Sequence, residues 1–225
     1  MRESSRTASQ GYDRATVALA LLAILLGAGL IAVFVFRPHD PSDTSPEAGF
    51  ARDMSVHHAQ AVQMALIVHD RTNDPDLKYL TQDIFISQQD QIGQMEGWLN
   101  LWGLSQTGSD QPMAWMGHPV EELMPGMATP EQVDSLRTLP VEKMNVEFLR
   151  LMIAHHQAGI EMAQGVIQRT NNEQVTLLAQ SIVASQQGEI SIMQQKLSEL
   201  EGGQPPGGSA KPGAAPEATG TPHQH

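Results

Sequence analysis

Apolar positions along this chain follow two regimes, one continuous and one periodic. Ala15 to Phe36 is an apolar run in which Thr16 is the only polar side chain apart from glycines. As a helix of about 22 residues it spans roughly 33 Å, enough for a hydrocarbon core of about 30 Å. From residue 46 onward the apolar positions recur instead at steps of three and four. Met54, His58, Ala61, Met64, Ala65 and Val68 form one stripe of a 3.6-residue helix. Leu77, Leu80, Ile84, Gln88, Gln91, Met95 and Leu99 form a second, and Val175, Leu178, Ile182, Met193 and Leu197 a later one. Ser45-Pro46-Glu47 and Asp74-Pro75-Asp76 read as helix starts, with a capping side chain followed by proline in the first turn.

The periodic part is duplicated. Phe50-x3-Met54-x2-His57-His58-x5-Met64-Ala65 returns as Phe148-x3-Met152-x2-His155-His156-x5-Met162-Ala163, 98 residues later. The match continues through Arg71-Thr72-Asn73 and Arg169-Thr170-Asn171, then Ser87-Gln88-Gln89 and Ser185-Gln186-Gln187, then Met95 and Met193. About nineteen positions in fifty are identical without a gap, which marks an internal repeat. Each copy predicts a hairpin of two amphipathic helices, and neither hairpin can bury its stripe alone. The expected fold is all-α, a four-helix bundle built from two repeated helical hairpins, preceded by one transmembrane helix.

This pattern sets the domain limits. Residues 1–14 form the N-terminus, 15–36 the anchor, 37–45 a linker and 46–200 the duplicated domain. The repeats occupy 46–102 and 144–200, and a crossover, 103–143, joins them. Thr129-Pro130-Glu131-Gln132 resembles a capping box that opens a short helix before Pro140. Residues 201–225, rich in Gly, Pro and Ala, lack apolar periodicity and are expected to be disordered. Arg2, Arg6 and Arg14 precede the anchor, whereas Arg37 is soon followed by Asp40, Asp43 and Glu47. The positive-inside bias puts the N-terminus in the cytoplasm and the domain outside, in the periplasm or at the cell surface. A cleaved signal normally has a shorter apolar region and a small-x-small site, and Val33-Phe34-Val35-Phe36-Arg37-Pro38 contains none.

Composition narrows the chemistry. The formal net charge of −12 leaves no basic stripe to neutralise phosphates, so nucleic acid is excluded as a partner. Cysteine is absent, which removes disulfides, thiolate zinc sites and cysteine catalysis. Methionine is frequent instead, with 12 in the chain.

Four of these methionines accompany the histidine pairs. Met54 lies one helical turn before His57 and His58, as Met152 does before His155 and His156, so thioether and imidazole can share a locus. Adjacent histidines diverge by about 100°, so one of each pair is expected inward and the other at the flank, facing a neighbouring helix. Met64, like Met162, lies roughly 10 Å further along the axis, too far to join Met54 on one ion without another helix. The crossover adds Met113, Met116, His118, Met124 and Met127. Imidazole with thioether is a soft-to-borderline ligand set that suits copper, Cu(I) especially, and suits Mg²⁺ or Ca²⁺ poorly. The bland alternative is that the histidines are hydrogen-bonded core residues and the methionines fill space.

The segments Phe50–Met64, Met124-Pro125-Gly126-Met127, Thr129–Gln132 and Phe148–His156 resemble the signature of the domain of unknown function 305 family over about residues 46–200. That resemblance implies a ferritin-like four-helix bundle exported from bacterial cells. It also implies copper binding in some members, carried here by Met54, His57, His58, Met64, Met152, His155, His156 and Met162. The family often has Asp three residues before each motif Phe, where this chain has Glu47 and Asn145. If that acid orients a histidine, the second site should be weaker.

The expected function is therefore membrane-anchored, extracytoplasmic copper buffering, trafficking or tolerance, with copper ions and copper-handling envelope proteins as partners. An envelope interaction module with structural histidines is the alternative. A di-iron metalloenzyme would need Glu and Glu-x2-His where Met-x2-His stands. A haem site would have to be non-covalent. No Ser/His/Asp arrangement, phosphate-binding glycine loop or paired-carboxylate site stands out, so the chain reads as a binding protein rather than an enzyme.

Overall fold

The computed structural model describes residues 13–35 and 40–202. Most of the N-terminus, the start of the linker and nearly all of the Gly/Pro/Ala-rich tail lie outside the described residues. The chain divides into two units, residues 1–40 and 41–225. In the first, helix α1 runs Arg14–Val35. Asp13 caps it by accepting hydrogen bonds from the Thr16 amide and hydroxyl, both at 2.7 Å. Leu19, Ile24, Leu25, Leu30 and Ile31 are all exposed, and the helix is long and apolar enough to cross a membrane.

The second unit is all-helical among the described residues. It contains α2 (Pro46–Arg71), α3 (Pro75–Leu101), α4 (Pro130–Thr138), α5 (Val141–Ile167) and α6 (Glu173–Glu201). The expected starts are present. Ser45 Oγ accepts from the Ala48 amide, Asp74 from the Asp76 and Leu77 amides, and Thr129 and Gln132 form the reciprocal capping box. The second hairpin uses Asn172 in the place of Asp74, accepting from the Gln174 and Val175 amides. Each of these caps satisfies amides that the first helical turn leaves unpaired.

Helix α2 packs on α3 and α5 on α6, and the hairpins meet along α2 and α5. These two central helices run antiparallel. At one end Glu47 near the start of α2 accepts from Thr170 beyond α5, at 2.5 Å. At the other end Arg71, closing α2, donates to the Leu136 and Leu139 carbonyls and to Met144 Sδ near the start of α5. The core divides accordingly. Ala48, Phe50 and Met54 pack with Met162, Ala163 and Val166, whereas Met64, Ala65 and Val68 pack with Met144, Phe148 and Met152. The midpoint of the crossing falls between these two groups, at the histidines.

The crossover between the hairpins lies against the bundle. The Gln60 amide brackets Ala128, accepting from its N–H at 2.7 Å and donating to its carbonyl at 2.9 Å. Asp53 accepts from the Met113 amide and the Trp115 indole, at 2.7 and 2.8 Å. These bonds hold Met113 in a left-handed conformation, φ 67°, that non-glycine residues rarely adopt. Arg169, the repeat counterpart of Arg71, donates to the Met116 carbonyl.

Gly126 is the tightest point of this crossover. Its φ is +75°, and a Cβ there would stand 2.6 Å from Ala158 Cβ and 2.7 Å from the Ala154 carbonyl oxygen on α5. Gly126→Ala should therefore cost at least about 2 kcal/mol, combining the left-handed penalty with a clash against helix backbone. Denaturant unfolding measures it, and unchanged stability would show that the loop is not anchored there.

Candidate metal centre

Antiparallel packing of two copies of one helix brings equivalent residues face to face only at the pseudo-twofold axis. His57 and His155 are such a pair. Their rings are 3.7 Å apart between centroids and inclined by 33°, so the axis passes between them. The neighbouring rings turn away by about 100°, each toward the second helix of its own hairpin. His58 Nε2 is 2.7 Å from Gln91 Oε1, and His156 Nε2 is 2.6 Å from Glu189 Oε2. Both members of each pair are fully buried. The outer ring of each pair thus faces the neighbouring helix of its own hairpin and is buried there.

These bonds use one nitrogen of a ring and leave the other. His57 Nε2 faces the Pro125 carbonyl at 3.3 Å, where Gly126 lets the crossover reach the core. The Nδ1 atoms of His57, His58 and His156 have no protein partner, and neither nitrogen of His155 has one. The side-chain amides of Gln88 and Gln186, another repeat-related pair, are likewise buried without partners. Each such atom costs about 1–3 kcal/mol unless something satisfies it. A core this polar fits a ligand-binding role better than a packing role, and a ring whose N–H is held by a second group presents its other nitrogen as a donor.

The sulfur atoms are distributed to either side. Met54, Met162, Met113 and Met124 lie in the core at one end of the histidines, with Met116 and Met127 partly buried against it. Met64 and Met152 lie in the core at the other end. The antiparallel crossing therefore pairs the early methionine of one motif with the late methionine of the other, which supplies the second helix that the spacing required. His118 is exposed and apart from the centre.

Met95 on α3 and Met193 on α6 are fully buried in these same two clusters. They were not singled out from the sequence as ligands, although their match at the repeat offset was the available signal. Gln91 and Glu189 were missed as histidine partners because the pattern gave no reason to pair them with a ring 33 residues away. The acid three residues before each motif Phe does not orient a histidine here. Glu47 holds Thr170, and Asn145 Oδ1 is buried without a partner. Among the described residues no three His, Asp or Glu side chains converge on one metal-sized position. An ion at this centre would draw on thioether as well as imidazole.

Burial also sets the protonation of three of these rings, His57, His58 and His155. Desolvation pushes His57 down to about 4, against a smaller opposing effect of the Pro125 carbonyl. It pushes His58 down to about 3, assisted by the neighbouring His57. His155 is held well below the usual imidazole range by the same desolvation and by the other three rings. Neutral rings keep the lone pair that a metal requires.

The chain matches the family model Domain of unknown function (DUF305) over residues 47–197. A DUF305 protein of Streptomyces coelicolor, described as secreted, is 45% identical with a TM-score of 0.68, over 71% of this chain and 96% of that one. CopM in its Cu(I)-bound form is 28% identical with a TM-score of 0.52, over 70% of this chain and 96% of that one. CopM has also been solved with Cu(II) and with silver. Protein L153 of Acanthamoeba polyphaga mimivirus is 39% identical over 51 residues, 23% of this chain. The match spans only 34% of that relative's length.

The depressed ring values have a consequence for stability. Below pH 6.5 the unfolded chain protonates these rings and the folded chain does not, so acid favours unfolding. Stability is complete above the ordinary imidazole range and falls as pH drops, until the folded rings themselves protonate at about 4 for His57 and about 3 for His58. Each ring should contribute about 1.4 kcal/mol per pH unit within that window. Denaturant titrations of the metal-free protein between pH 7 and 4.5 should show the decline. A flat profile would mean that the rings are not desolvated.

Proposed function

The chain belongs to the DUF305 family, and on that footing we propose that it is an exported copper-binding protein, taking Cu(I) between α2 and α5. One observation carries this reading: four buried imidazoles, repeated about a pseudo-twofold axis, retain unpartnered nitrogens and have buried thioethers on both sides. Cu(I) is soft, accepts imidazole and thioether together, and carries a single charge into a core that offers little solvation. His57, His58, His155 and His156 are the nitrogen donors of this reading, and Met54, Met64, Met152 and Met162 its first sulfur donors. Met95 and Met193 join them, and Met113, Met116, Met124 and Met127 belong to the crossover cap of one sulfur cluster. CopM, a related fold solved with copper and with silver, supports the assignment.

The structural alternative accounts for one nitrogen of His58 and of His156 through their hydrogen bonds. It leaves both nitrogens of His155 and the two buried glutamine amides without a purpose. We assign no catalytic role. The protein buffers the ion or passes it to other copper-handling proteins of the envelope. Helix α1 is the anchor in this reading, with the arginine-rich N-terminus in the cytoplasm. The same length and composition would serve a signal sequence. The size of the chain in isolated membranes and its retention after alkaline extraction decide between them. A shortened, fully extractable protein would remove the anchor.

Cu(I) titration of the purified protein against a chromophoric chelator tests the site. His57→Ala with His155→Ala should weaken binding about a hundredfold or more. Met54→Leu, Met95→Leu and Met162→Leu together conserve volume, so the fold should persist while affinity falls about tenfold or more. Cu(I) affinity that ignores both sets would remove the proposal.

A further inference from the structure

The two halves of the core are copies, and one difference between them changes the charge at the centre. Gln91 and Glu189 occupy the same place in the repeat, 98 residues apart. Both place a side-chain oxygen on the Nε2 of the outer histidine of their hairpin, at 2.7 and 2.6 Å. The geometry is shared and the charge is not. Glu189 is buried, with its side chain only 8% exposed, and among the described residues its one short contact with a basic side chain is with the His156 ring, which offsets its charge only when protonated. Among the described residues the other buried charged side chains, histidines aside, are Arg52 and Lys196. Arg52 is bound to Asp43 and the Ser105 carbonyl, and Lys196 to Asp74 and Asp76, so neither neutralises Glu189.

A neutral donor set leaves the whole charge of a bound ion in the core. The cost of burying charge rises with its square, so a doubly charged ion costs about four times as much as a singly charged one. His58 with Gln91 is such a neutral set and favours Cu(I). His156 with Glu189 brings one negative charge, which reduces a doubly charged ion to a net single charge. The carboxylate also strengthens the imidazole it holds as a donor. Resting on the copper reading above, we infer that Glu189 is the specificity-determining residue that lets the His156 half of the centre accept Cu(II), while the His58 half is selective for Cu(I). Glu189 acts as a positioning and charge-compensating residue through His156. A chain with Gln at both places would be a Cu(I) protein throughout.

The test uses the full chain in detergent with four forms: unchanged, Glu189→Gln, Gln91→Glu, and the exchange variant carrying both. Glu189→Gln reproduces a pair that the structure already contains at His58, so the fold should tolerate it. Cu(I) and Cu(II) affinities are measured with competing chelators, and the Cu(II) forms by electron paramagnetic resonance. Glu189→Gln should weaken Cu(II) by about tenfold or more and Cu(I) by less than about threefold. Gln91→Glu should add a second equivalent of Cu(II). The exchange variant should recover Cu(II) binding with a spectrum close to that of the unchanged protein, which a merely structural role for Glu189 does not predict. Unchanged Cu(II) affinity and spectrum in Glu189→Gln overturn the inference while leaving Cu(I) binding intact. Equal losses of both ions, or an exchange variant that fails to recover, overturn it as well. If the unchanged protein binds neither ion, the copper reading itself fails, and that outcome is distinct from the others.

Discussion

The structure depends on the antiparallel crossing of α2 and α5 at His57 and His155. That contact sets the register of the two hairpins and places a close, tilted pair of neutral rings where a bundle would ordinarily put aliphatic side chains. Apolar packing at either end, around Phe50 and Met162 on one side and Phe148 and Met64 on the other, holds the crossing closed. Fully buried leucine or methionine contributes about 1.5–3 kcal/mol each, enough in sum to carry several unsatisfied polar atoms between the two ends. The polar middle is therefore a stability liability maintained by its flanks, which is a common arrangement at functional sites.

Much of this was legible in the residues themselves. The 3.6-residue stripes, the proline-marked starts at Pro46, Pro75 and Pro130, and the gapless repeat predicted the helices and their pairing into hairpins. Periodicity could not give the direction of α2 relative to α5, because a stripe has no polarity. Long-range groups settled it, namely Arg71 against Leu136 and Leu139, and Glu47 against Thr170. The divergence of each histidine pair was legible too, with one ring on the axis and the other facing a neighbouring helix. A single helix shows where its rings diverge, and only the assembled bundle shows that both directions are interior.

Duplication explains both what was found and what was missed. A repeat copies ligands and packing residues alike, so identity at the offset marks Met95 and Met193 as strongly as Met54 and Met152 without saying which touch an ion. Differences between the copies are more informative, since each survives against a shared geometry. Gln91 against Glu189 keeps the hydrogen bond and alters the charge, whereas Glu47 against Asn145 alters contacts remote from the rings. The crossover breaks the symmetry further by covering one sulfur cluster with Met113 and Met124.

In the proposed copper centre, nitrogen and sulfur serve one ion together inside the bundle. X-ray absorption at the copper edge of the Cu(I)-loaded protein reads this directly. It should show sulfur and imidazole nitrogen in the same coordination shell, with sulfur lost when Met54, Met95 and Met162 become leucine. A shell of light atoms alone, or a spectrum indifferent to those methionines, would contradict it.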